Sequence, residues 1–409
     1  MMTHKDLETM LGLSAPWKLL STGINHTTRT AILRVGCETT LWVDPESGRR
    51  LHIHSHEERR WRHLDFWQYE SVILASVPRV RDPETGTTEM VAVPWAGAGS
   101  RWTLAFETLA LAVIQASRSL EDARRLLRLS WDSARNIMAR AVERGLSRRE
   151  DDNLPHLGID EKSFGKGHNF ISVLTDIDGR RALEVVQGAD KPSALGLLGT
   201  LSWEQVAGVQ AVAMDRSPAF IAAVSEALPG AAIVHDGYHL SADLNTAVDK
   251  VRRQEHRILL SIGDTTLTGT KYHWLTNPLN MEPEKLTAFS RLASLALKTS
   301  RAWSIKELFG GFWEQPDAAA GAEFFGNWYA RTIRSRLEPM KKLARSFKRS
   351  LPFLLTWFAH RISNSTAEGI NSVIQLIKAA ARGFRNFANY RIAILFRCGK
   401  LDLSVAAAQ

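Results

Sequence analysis

The stretch "HLGIDEKSFGKGHNFISVLTDID", from His156 to Asp178, decides the fold. It begins as an apolar strand, reaches the acid pair Asp160–Glu161, turns through a loop of glycine and lysine, and resumes as a second apolar strand. The chain carries a formal net charge of +9, so two carboxylates at the end of a buried strand need an explanation. Burying an unpaired charge is costly, and a buried carboxylate therefore indicates a cationic partner.

The elements that follow this stretch alternate between strands and helices. A third strand, "RALEVVQG", leads into a helical stretch to about Gln205, and a fourth strand, "GVQAVAMD", comes next. The helix "SPAFIAAVSEALPG" then precedes a fifth strand in "AAIVHDGYHL". This order predicts a multidomain α/β protein with a mixed sheet. From about Leu244 to Ser350 the pattern is helical, with no strand evident.

The first hundred residues predict a β-rich, irregular module, and the next fifty predict helices. Ser119 and Ser130 each precede a helical pattern as N-caps, and Gly145 is predicted to end the last helix. Two short helices after a longer one are typical of a helix-turn-helix, although three helices that serve only as a spacer fit equally well. In the helix-turn-helix interpretation, DNA contacts come from Arg135, Asn136 and Arg140.

Length and composition restrict the class of protein. A chain of 409 residues, 44% hydrophobic and 23% charged, predicts two or three globular domains. No stretch is long enough to span a membrane and the N-terminus lacks an apolar signal core, so we expect a cytoplasmic protein without a membrane partner. Cys37 and Cys398 lie at opposite ends of the chain, which excludes a disulfide framework. The positive net charge favours a polyanion such as nucleic acid as the partner.

Three acidic residues stand at positions that suit catalysis. Asp160 ends the first strand and Asp215 ends the fourth, whereas Glu368 lies near the start of a helix. The apolar stripe of that helix consists of Ile370, Val373, Ile374 and Ile377. The stripe predicts that Glu368 lies on the opposite side of the helix, together with Asn371 and Gln375.

Carboxylates from separate elements repel one another unless cations lie between them. Oxygen ligands suit Mg²⁺ or Mn²⁺, and two such ions can activate the attacking oxygen and stabilise the leaving one in phosphodiester cleavage. A simpler interpretation is also open for each acid. Asp160 and Asp215 would then be ordinary strand-end acids, and Glu368 would complete a capping box with Ser365.

Four stretches together resemble the transposases of the ISL-three family of bacterial insertion sequences. They are "GIDEKSFGKGH", "VAMDRSPAF", "AAIVHDGYHLSADLNTAVDKVRRQE" and "SNSTAEGINSVIQLIKAAARGFRNFANYRIAILFRCG". The resemblance covers nearly the whole chain. It implies an RNase H-like catalytic fold whose DDE triad corresponds to Asp160, Asp215 and Glu368, with an all-helical insertion at about residues 245–355. It also implies two Mg²⁺ or Mn²⁺ ions per active site.

The resemblance implies three domains and a DNA substrate. Residues 1–98 would form an N-terminal DNA-binding module, residues 99–150 the helix-turn-helix, and residues 151–409 the catalytic domain. The expected activity is binding of the element's terminal inverted repeats, followed by metal-dependent strand cleavage and strand transfer into target DNA. Inverted ends imply a homodimer or a larger synaptic assembly on double-stranded DNA, in the bacterial nucleoid.

The same motifs suggest roles for further residues. Asp236 and His239 resemble an accessory motif near the scissile phosphate, although the two side chains could equally well bond each other and shape the loop. Glu161 is expected to be a neighbour of the site and not a ligand. DNA contacts outside the helix-turn-helix are expected from Lys162, His168, Asn371, Arg382 and Arg385.

The N-terminal module departs from the family pattern. The family carries two Cys-Pro-x-Cys/His-Gly knuckles, and the matching segments here are "DPESG" and "DPETG". The ligand positions become Asp44, Ser47, Asp82 and Thr85. Hydroxyl side chains are poor zinc ligands, so we expect no structural zinc. The module resembles a zinc-binding domain without its ligands, and its DNA contacts are expected from Arg59, Arg60, Arg62 and the neighbouring Trp residues.

Two other functions remain open from the sequence alone. An RNase H-like nuclease that acts on junctions or hybrids would share the carboxylate chemistry, but it would not account for the N-terminal modules and the helical insertion. A transposase-derived regulator that binds DNA without cleaving it is favoured by the lost knuckle ligands. The presence of all three catalytic acids speaks against the regulator.

Overall fold

A computed structural model describes residues 4–44, 48–81, 86–150, 152–165, 167, 169–235 and 237–405. The N-terminal module begins with the short helix α1 (His4–Met10) and continues as a six-stranded sheet. Its strands are β1 (Trp17–Asn25), β2 (Thr30–Cys37), β3 (Leu41–Val43), β4 (Arg50–Arg62), β5 (Glu70–Arg81) and β6 (Thr88–Met90). The order is β1-β2-β5-β4-β3, with β6 paired to β5.

Tryptophans form the centre of this N-terminal module. Trp17 and Trp61 pack edge-to-face on Trp95, with ring centroids 4.9 and 5.6 Å apart, and Trp42 lies 6.3 Å from Trp17. Edge-to-face contacts between large aromatic rings supply the apolar burial that a small sheet needs. Of the four predicted knuckle positions, Ser47, Asp82 and Thr85 lie outside the described residues.

Three helices follow the N-terminal sheet. They are α2 (Leu104–Ala116), α3 (Leu120–Leu127) and α4 (Trp131–Ser147). The predicted N-caps are confirmed, because Ser119 accepts from the backbone N–H of Asp122 and Ser130 accepts from that of Ser133. The predicted end of the last helix at Gly145 is wrong, since α4 continues to Ser147.

Gly145 has a packing role instead. A Cβ built there would lie 2.7 Å from the Leu401 Cβ and 3.1 Å from the carbonyl oxygen of Asp402. Contacts below 3 Å are sterically prohibitive, so only glycine lets the C-terminal segment approach α4 this closely. The glycine marks a crossing of two chain segments rather than a helix terminus.

The second sheet is mixed, as its sequence pattern predicts. Its strands are β7 (His156–Ser163), β8 (Phe170–Asp176), β9 (Arg181–Gln187), β10 (Ala211–Met214) and β11 (Ala232–His235). They lie in the order β11-β10-β7-β8-β9, with β7, β10 and β11 parallel and β8 antiparallel to its neighbours. Helices α5 (Lys191–Leu198), α6 (Trp203–Gly208) and α7 (Pro218–Ala227) connect the strands.

A large helical region follows β11, and every element described in it is a helix. It comprises α8 (Gly237–Ser261), α9 (Lys271–Leu275), α10 (Pro283–Ala293), α11 (Lys298–Phe309), α12 (Ala318–Arg334), α13 (Glu338–Leu355) and α14 (Trp357–His360). The helical region starts earlier than expected, because α8 begins directly after the sheet and runs on for 25 residues. Its own core contains fully buried Trp274, Phe309, Trp328 and Phe347.

The chain then returns to the second sheet through α15 (Ser365–Ala380) and α16 (Phe387–Cys398). These helices share one hydrophobic core with α2–α4 and with the sheet. Representative members are Phe106 and Ile137 from α2 and α4, Ile171 and Val173 from β8, and Ile374 and Tyr390 from α15 and α16. The helix-turn-helix region therefore has no hydrophobic core of its own.

Candidate active site and DNA-binding cleft

The parallel register of β7 and β10 sets two of the predicted acids side by side. Ile159 pairs with Met214, so Asp160 and Asp215, which follow them, lie at the same level of the sheet, where β10 ends. The prediction that Asp160 ends its strand is wrong, because β7 continues to Ser163 through its pairing with β8. Asp160 is 5% exposed, and its Oδ1 accepts a hydrogen bond from the backbone N–H of Glu161 at 2.8 Å. Asp215 accepts from the backbone N–H of Ser217 at 3.0 Å, at the start of α7.

Several ionisable groups share the electrostatic field at this edge. Burial raises the pKa of the Asp160 carboxyl, and Asp215 adds to the rise, whereas Lys162 and His239 oppose it. Burial also raises the pKa of Glu161, and the charges of Asp215 and Asp160 act in the same direction. The Lys162 Nζ lies 3.9 Å from Asp160 Oδ2. These shifts show that the acids interact although they come from different strands.

Helix α15 packs on the sheet directly beneath these acids. A Cβ at Gly158 would lie 3.0 Å from Asn364 Oδ1 and 3.5 Å from the Ala367 Cβ, so the glycine in "HLGID" leaves the space that the start of α15 occupies. Lys378, near the other end of α15, donates to the carbonyl of Ser163 at 2.8 Å. The helix that carries Glu368 is thereby tied to β7 near both ends. Sequence reasoning missed Gly158, although its position two residues before an acid was visible.

Asn371 occupies a place that differs from the prediction. The side chain is 2% exposed, and its Nδ2 donates to Asp160 Oδ2. Such a buried amide is not placed to contact DNA, and it orients the Asp160 carboxylate instead. The predicted apolar stripe is wrong at Val373, which is 40% exposed. The buried side of α15 consists of Ala367, Ile370, Asn371, Ile374 and Ile377.

The capping box proposed for Glu368 does not form. The N-cap of α15 is Asn364, which makes no side-chain cap bond, and Ser365 is already the first helical residue. The backbone N–H of Glu368 donates to the Asn364 carbonyl at 2.9 Å, as in any helix. Capping therefore does not explain why an acid stands at this position.

The carboxylates at this edge of the sheet have the chemistry of a divalent-metal site. Asp160 and Asp215 provide hard oxygen donors of the kind that Mg²⁺ and Mn²⁺ prefer, and burial raises the pKa of the Asp160 carboxyl although Lys162 opposes the rise. Across the described residues, no three His, Cys, Asp or Glu side chains lie together as a metal ion would require. The chemistry of the donors fits the ions, but a closed three-carboxylate cluster is not preformed.

The accessory residues are placed only in part. His239 lies half-buried in the first turn of α8, close enough to influence the pKa of Asp160 and Glu161. Asp236 and His168 lie outside the described residues. His235, which sequence reasoning did not single out, is fully buried at the end of β11 and packs 5.0 Å from the Phe353 ring. Burial lowers the pKa of His235 to about 4, so it is neutral at pH 7.

Arg216 was also missed, although it directly follows Asp215. Its guanidinium pairs with Asp243 on α8, donates to Ser346 Oγ on α13 at 3.0 Å, and lies 5.1 Å from the centre of the Phe347 ring. One side chain thus connects the end of β10 with two helices of the insertion. An arginine in a strand-end turn would have suggested DNA contact, and only the fold reveals its internal partners.

The predicted DNA-binding residues of α4 differ in their availability. Asn136 is exposed, and the guanidinium of Arg140 lies beside Gly97 in a groove of about 690 Å³. Arg135 is held from two sides, because its Nε donates to Asn389 Oδ1 at 3.0 Å and its Nη1 donates to Asn136 Oδ1 at 3.1 Å. Arg135 therefore contacts the catalytic region as well as the groove.

A basic cleft of about 880 Å³ lies between the helix-turn-helix and the loop after α15. Among the described residues, Arg118, Arg382 and Arg385 line this cleft, and no ion pair or hydrogen bond engages their guanidinium groups. Trp131 at the start of α4 is 42% exposed on the same cleft. Three uncompensated arginines with an exposed indole suit a nucleic-acid backbone.

The N-terminal arginines behave differently from expectation. Arg62 pairs with Asp65 and lies 5.0 Å from the Phe106 ring, and the adjacent Trp61 belongs to the tryptophan core. Arg62 thus joins the N-terminal sheet to α2, whereas Trp61 is buried in the core of the N-terminal module, so neither side chain is free to bind DNA. Arg59 and Arg60 remain exposed on β4.

Comparisons with known proteins agree with this arrangement. Residues 157–394 match a family model described as a transposase, and residues 91–142 match one described as the helix-turn-helix domain of transposase family ISL3. A transposase for insertion sequence element IS1557 from Mycobacterium tuberculosis is 27% identical over 80% of this chain and 79% of its own length. A transposase for insertion sequence element IS1001 from Bordetella parapertussis is 22% identical over 82% of this chain and 83% of its own length.

The matched regions identify the class as an insertion-sequence transposase with a DDE domain and a helix-turn-helix. Because the catalytic family model spans more than half of the sequence, the chain belongs to the ISL3 family of transposases. No helix within the described residues is both long enough and apolar enough to cross a membrane.

Proposed function

We propose that this transposase binds the terminal inverted repeats of its element and cleaves and joins DNA strands at an RNase H-like active site. The observation that carries the proposal is the parallel pairing of Ile159 with Met214, which sets Asp160 and Asp215 level at one sheet edge. Helix α15, which carries Glu368, packs against the same strand β7. Two carboxylates brought side by side from separate strands are difficult to explain as structural, because like charges repel.

Asp160, Asp215 and Glu368 would hold two Mg²⁺ or Mn²⁺ ions. When bound, such ions supply the charge that activates an attacking water or 3′-hydroxyl and stabilises the leaving oxygen. Asn371 holds the Asp160 carboxylate in one orientation through the hydrogen bond to Oδ2. Lys162, which lies beside Asp160, offers an ammonium group to a DNA phosphate.

We assign DNA recognition to the exposed face of α4 and backbone binding to the basic cleft. Asn136 and Arg140 are placed in the groove on α4, where side chains of a second helix-turn-helix helix read base edges. Arg382 and Arg385 in the cleft offer sequence-independent phosphate contacts. Since inverted ends are related by two-fold symmetry, the functional assembly is a homodimer or a larger synaptic complex.

The test is cleavage of a duplex that ends in the element's terminal repeat, measured with and without Mg²⁺. We expect Asp160→Asn, Asp215→Asn and Glu368→Gln each to lower the cleavage rate by at least a hundredfold while binding of the terminal DNA persists. Glu226→Gln is the matched control, because Glu226 is an exposed acid whose side chain pairs with Lys191 at the surface. Full activity in all three variants would refute the site.

A second outcome would identify a different function. If the unmodified protein binds the terminal repeat specifically but shows no metal-dependent cleavage, it is a DNA-binding regulator descended from a transposase. The absence of a preformed three-carboxylate cluster in the described residues is the observation that favours this alternative. Cleavage of junctions without preference for terminal sequences would instead indicate a structure-selective nuclease.

A further inference from the structure

We infer that the helix-turn-helix and the catalytic domain form one rigid unit, so that the protein itself sets the distance between the recognised DNA sequence and the phosphate that is cut. This inference rests on the proposed function for its DNA part only. When a DNA-binding domain is joined to a catalytic domain by a flexible linker, each domain has its own hydrophobic core and few contacts connect the two. The described residues show the opposite arrangement.

The helix-turn-helix and the catalytic domain share one hydrophobic core. Ile137 and Ala141 on α4 are fully buried, and they belong to the same continuous cluster as Tyr390 and Ile394 on α16. That cluster continues to Ile171 on the second sheet. Separating the helix-turn-helix from the catalytic domain would expose these side chains to water, which opposes reorientation.

Polar contacts also connect the helix-turn-helix with the catalytic domain. Arg397 on α16 donates to the carbonyl oxygens of Ile114 and Ser117 at the end of α2, at 3.2 and 2.7 Å. Arg149, just after α4, donates to the carbonyl of Leu183 on β9 at 2.9 Å. Both arginines satisfy backbone acceptors, Arg397 at the end of α2 and Arg149 within β9, so each contact has a defined geometry.

The C-terminal segment, residues 401–405, lies along α4. Arg144 on α4 bonds Glu107 Oε1 at 3.1 Å, the Leu403 carbonyl at 3.1 Å and the Ser404 carbonyl at 2.9 Å. Arg148 adds a 3.1 Å contact with Asp402. Because Leu403 is also buried in the shared core, the end of the catalytic domain clamps the helix that reads DNA.

The consequence concerns cleavage specificity. Nearly every face of α4 is engaged, and the free part is the groove that contains Asn136 and Arg140. That groove is held at a constant position relative to Asp160 by the contacts above. The position of cleavage is then set by the distance along the duplex from the bound sequence to the active site, as well as by the DNA sequence at the scissile phosphate.

Distance measurements by pulsed electron paramagnetic resonance test the rigidity without DNA. One spin label is placed at the end of α4, outside the groove, through Ser147→Cys and one on α7 through Glu226→Cys, both exposed, in a Cys37→Ser background. Cys398 stays unlabelled, because it is buried and burial raises the pKa of its thiol to about 11. We expect one narrow distance distribution that terminal-repeat DNA does not shift.

A label pair within the catalytic domain, Gln187→Cys with Glu226→Cys, provides the reference width. A distribution between α4 and α7 that is twice as broad as the reference, or that moves by more than about 5 Å on DNA binding, would overturn the inference. Arg148→Ala, which removes an exposed contact to the C-terminal segment, should leave the α4 to α7 distribution narrow, because the shared core still holds α4.

The second experiment uses terminal-repeat duplexes with one to five base pairs inserted between the protected sequence and the scissile phosphate. A rigid unit predicts cuts at a constant distance from the protected sequence, or a loss of cleavage of at least tenfold. Unchanged cleavage at the natural end in all duplexes would refute the inference. If the unmodified duplex is not cleaved at all, the proposed function fails, whereas a narrow label distance still supports the rigid unit.

Discussion

Two helical regions of this protein relate to the catalytic sheet in opposite ways. The helix-turn-helix region, α2–α4, shares one core with the sheet and with α15 and α16. The insertion, α8–α14, buries its own aromatic core and reaches the sheet edge through contacts such as those of Arg216. The comparison teaches that helical content does not determine independence. A helical region is independent only if its helices bury their apolar faces against one another.

The largest expected effect comes from Trp328→Ala in the insertion. Trp328 is 1% exposed and donates to the Ile305 carbonyl at 2.9 Å, so its removal leaves a large cavity and should cost about 4 kcal/mol. We expect the loss of stability to be confined to the insertion. Hydrogen exchange should accelerate in α11–α13 and remain slow in β7–β9. Equal acceleration in both regions would show that the two cores are coupled.

A second, slightly smaller effect is expected from Ile137→Ala on α4, which should cost about 3 kcal/mol. Ile137 is fully buried in the core that the helix-turn-helix shares with the sheet. The loss should therefore appear in both regions at once. The measurement is the same hydrogen-exchange experiment, in which α4 and β8 should accelerate together. Acceleration of α4 alone would contradict a shared core.

Gly158→Ala should destabilise the protein by about 2 kcal/mol, because the added methyl group would lie only 3.0 Å from Asn364 Oδ1 at the start of α15. Displacement of α15 should reduce cleavage more than DNA binding, since Glu368 lies on this helix. Gly196→Ala in α5 is the matched control. Nothing lies within 4 Å of a Cβ there, so that change should leave cleavage intact. Loss of activity in both variants would exclude a specific role for Gly158.

Arg216→Ala should cost only about 1 kcal/mol, because its ion pair with Asp243 is partly exposed to solvent. The insertion should lose part of its attachment next to Asp215. We expect faster proteolysis between the sheet and α8, and a lower cleavage rate at unchanged terminal-repeat affinity. Arg180→Ala, on the exposed turn before β9, is the control. Equal effects of the two substitutions would remove Arg216 as a specific connection.

The smallest effect on stability is expected from Asp160→Asn, although cleavage should be lost. Burial raises the pKa of Asp160 in the folded protein, so the folded state binds a proton more tightly than the unfolded state. The ionised carboxylate therefore opposes folding near pH 7, and the Asn variant should be as stable as the parent or more stable. Thermal unfolding at pH 5 and pH 8 measures this. The difference between the two proteins should grow with pH.

The same pKa shift predicts the acid limb of activity. Under the proposed function cleavage needs an ionised Asp160, so as the pH is lowered the rate should begin to fall at a pH above the ordinary range for an aspartate. Lys162→Met should move this limb to still higher pH, because the ammonium group favours the ionised form. If the pH at which the cleavage rate falls is unchanged in this variant, Lys162 does not influence the ionisation of Asp160.

The sequence by itself determined those features whose causes are local. The order of strands and helices follows from apolar periodicity, and the N-caps Ser119 and Ser130 follow from a hydroxyl that satisfies the nearest free backbone N–H. The acids Asp160 and Asp215 were recognisable because each directly follows an apolar run, although β7 continues beyond Asp160 to Ser163. The family followed from several such motifs together, and the comparisons confirmed it.

Only the tertiary structure decided which face of each element would be covered. Asn371 was expected on the open side of its helix, but the approach of α15 to Gly158 turned it onto Asp160. Gly145 was expected to end a helix, but the C-terminal segment crosses it, about 250 residues later in the chain. In both cases the partner is far away in sequence. Periodicity records which residues of a segment can be buried together, whereas the identity of the covering surface depends on how distant segments meet.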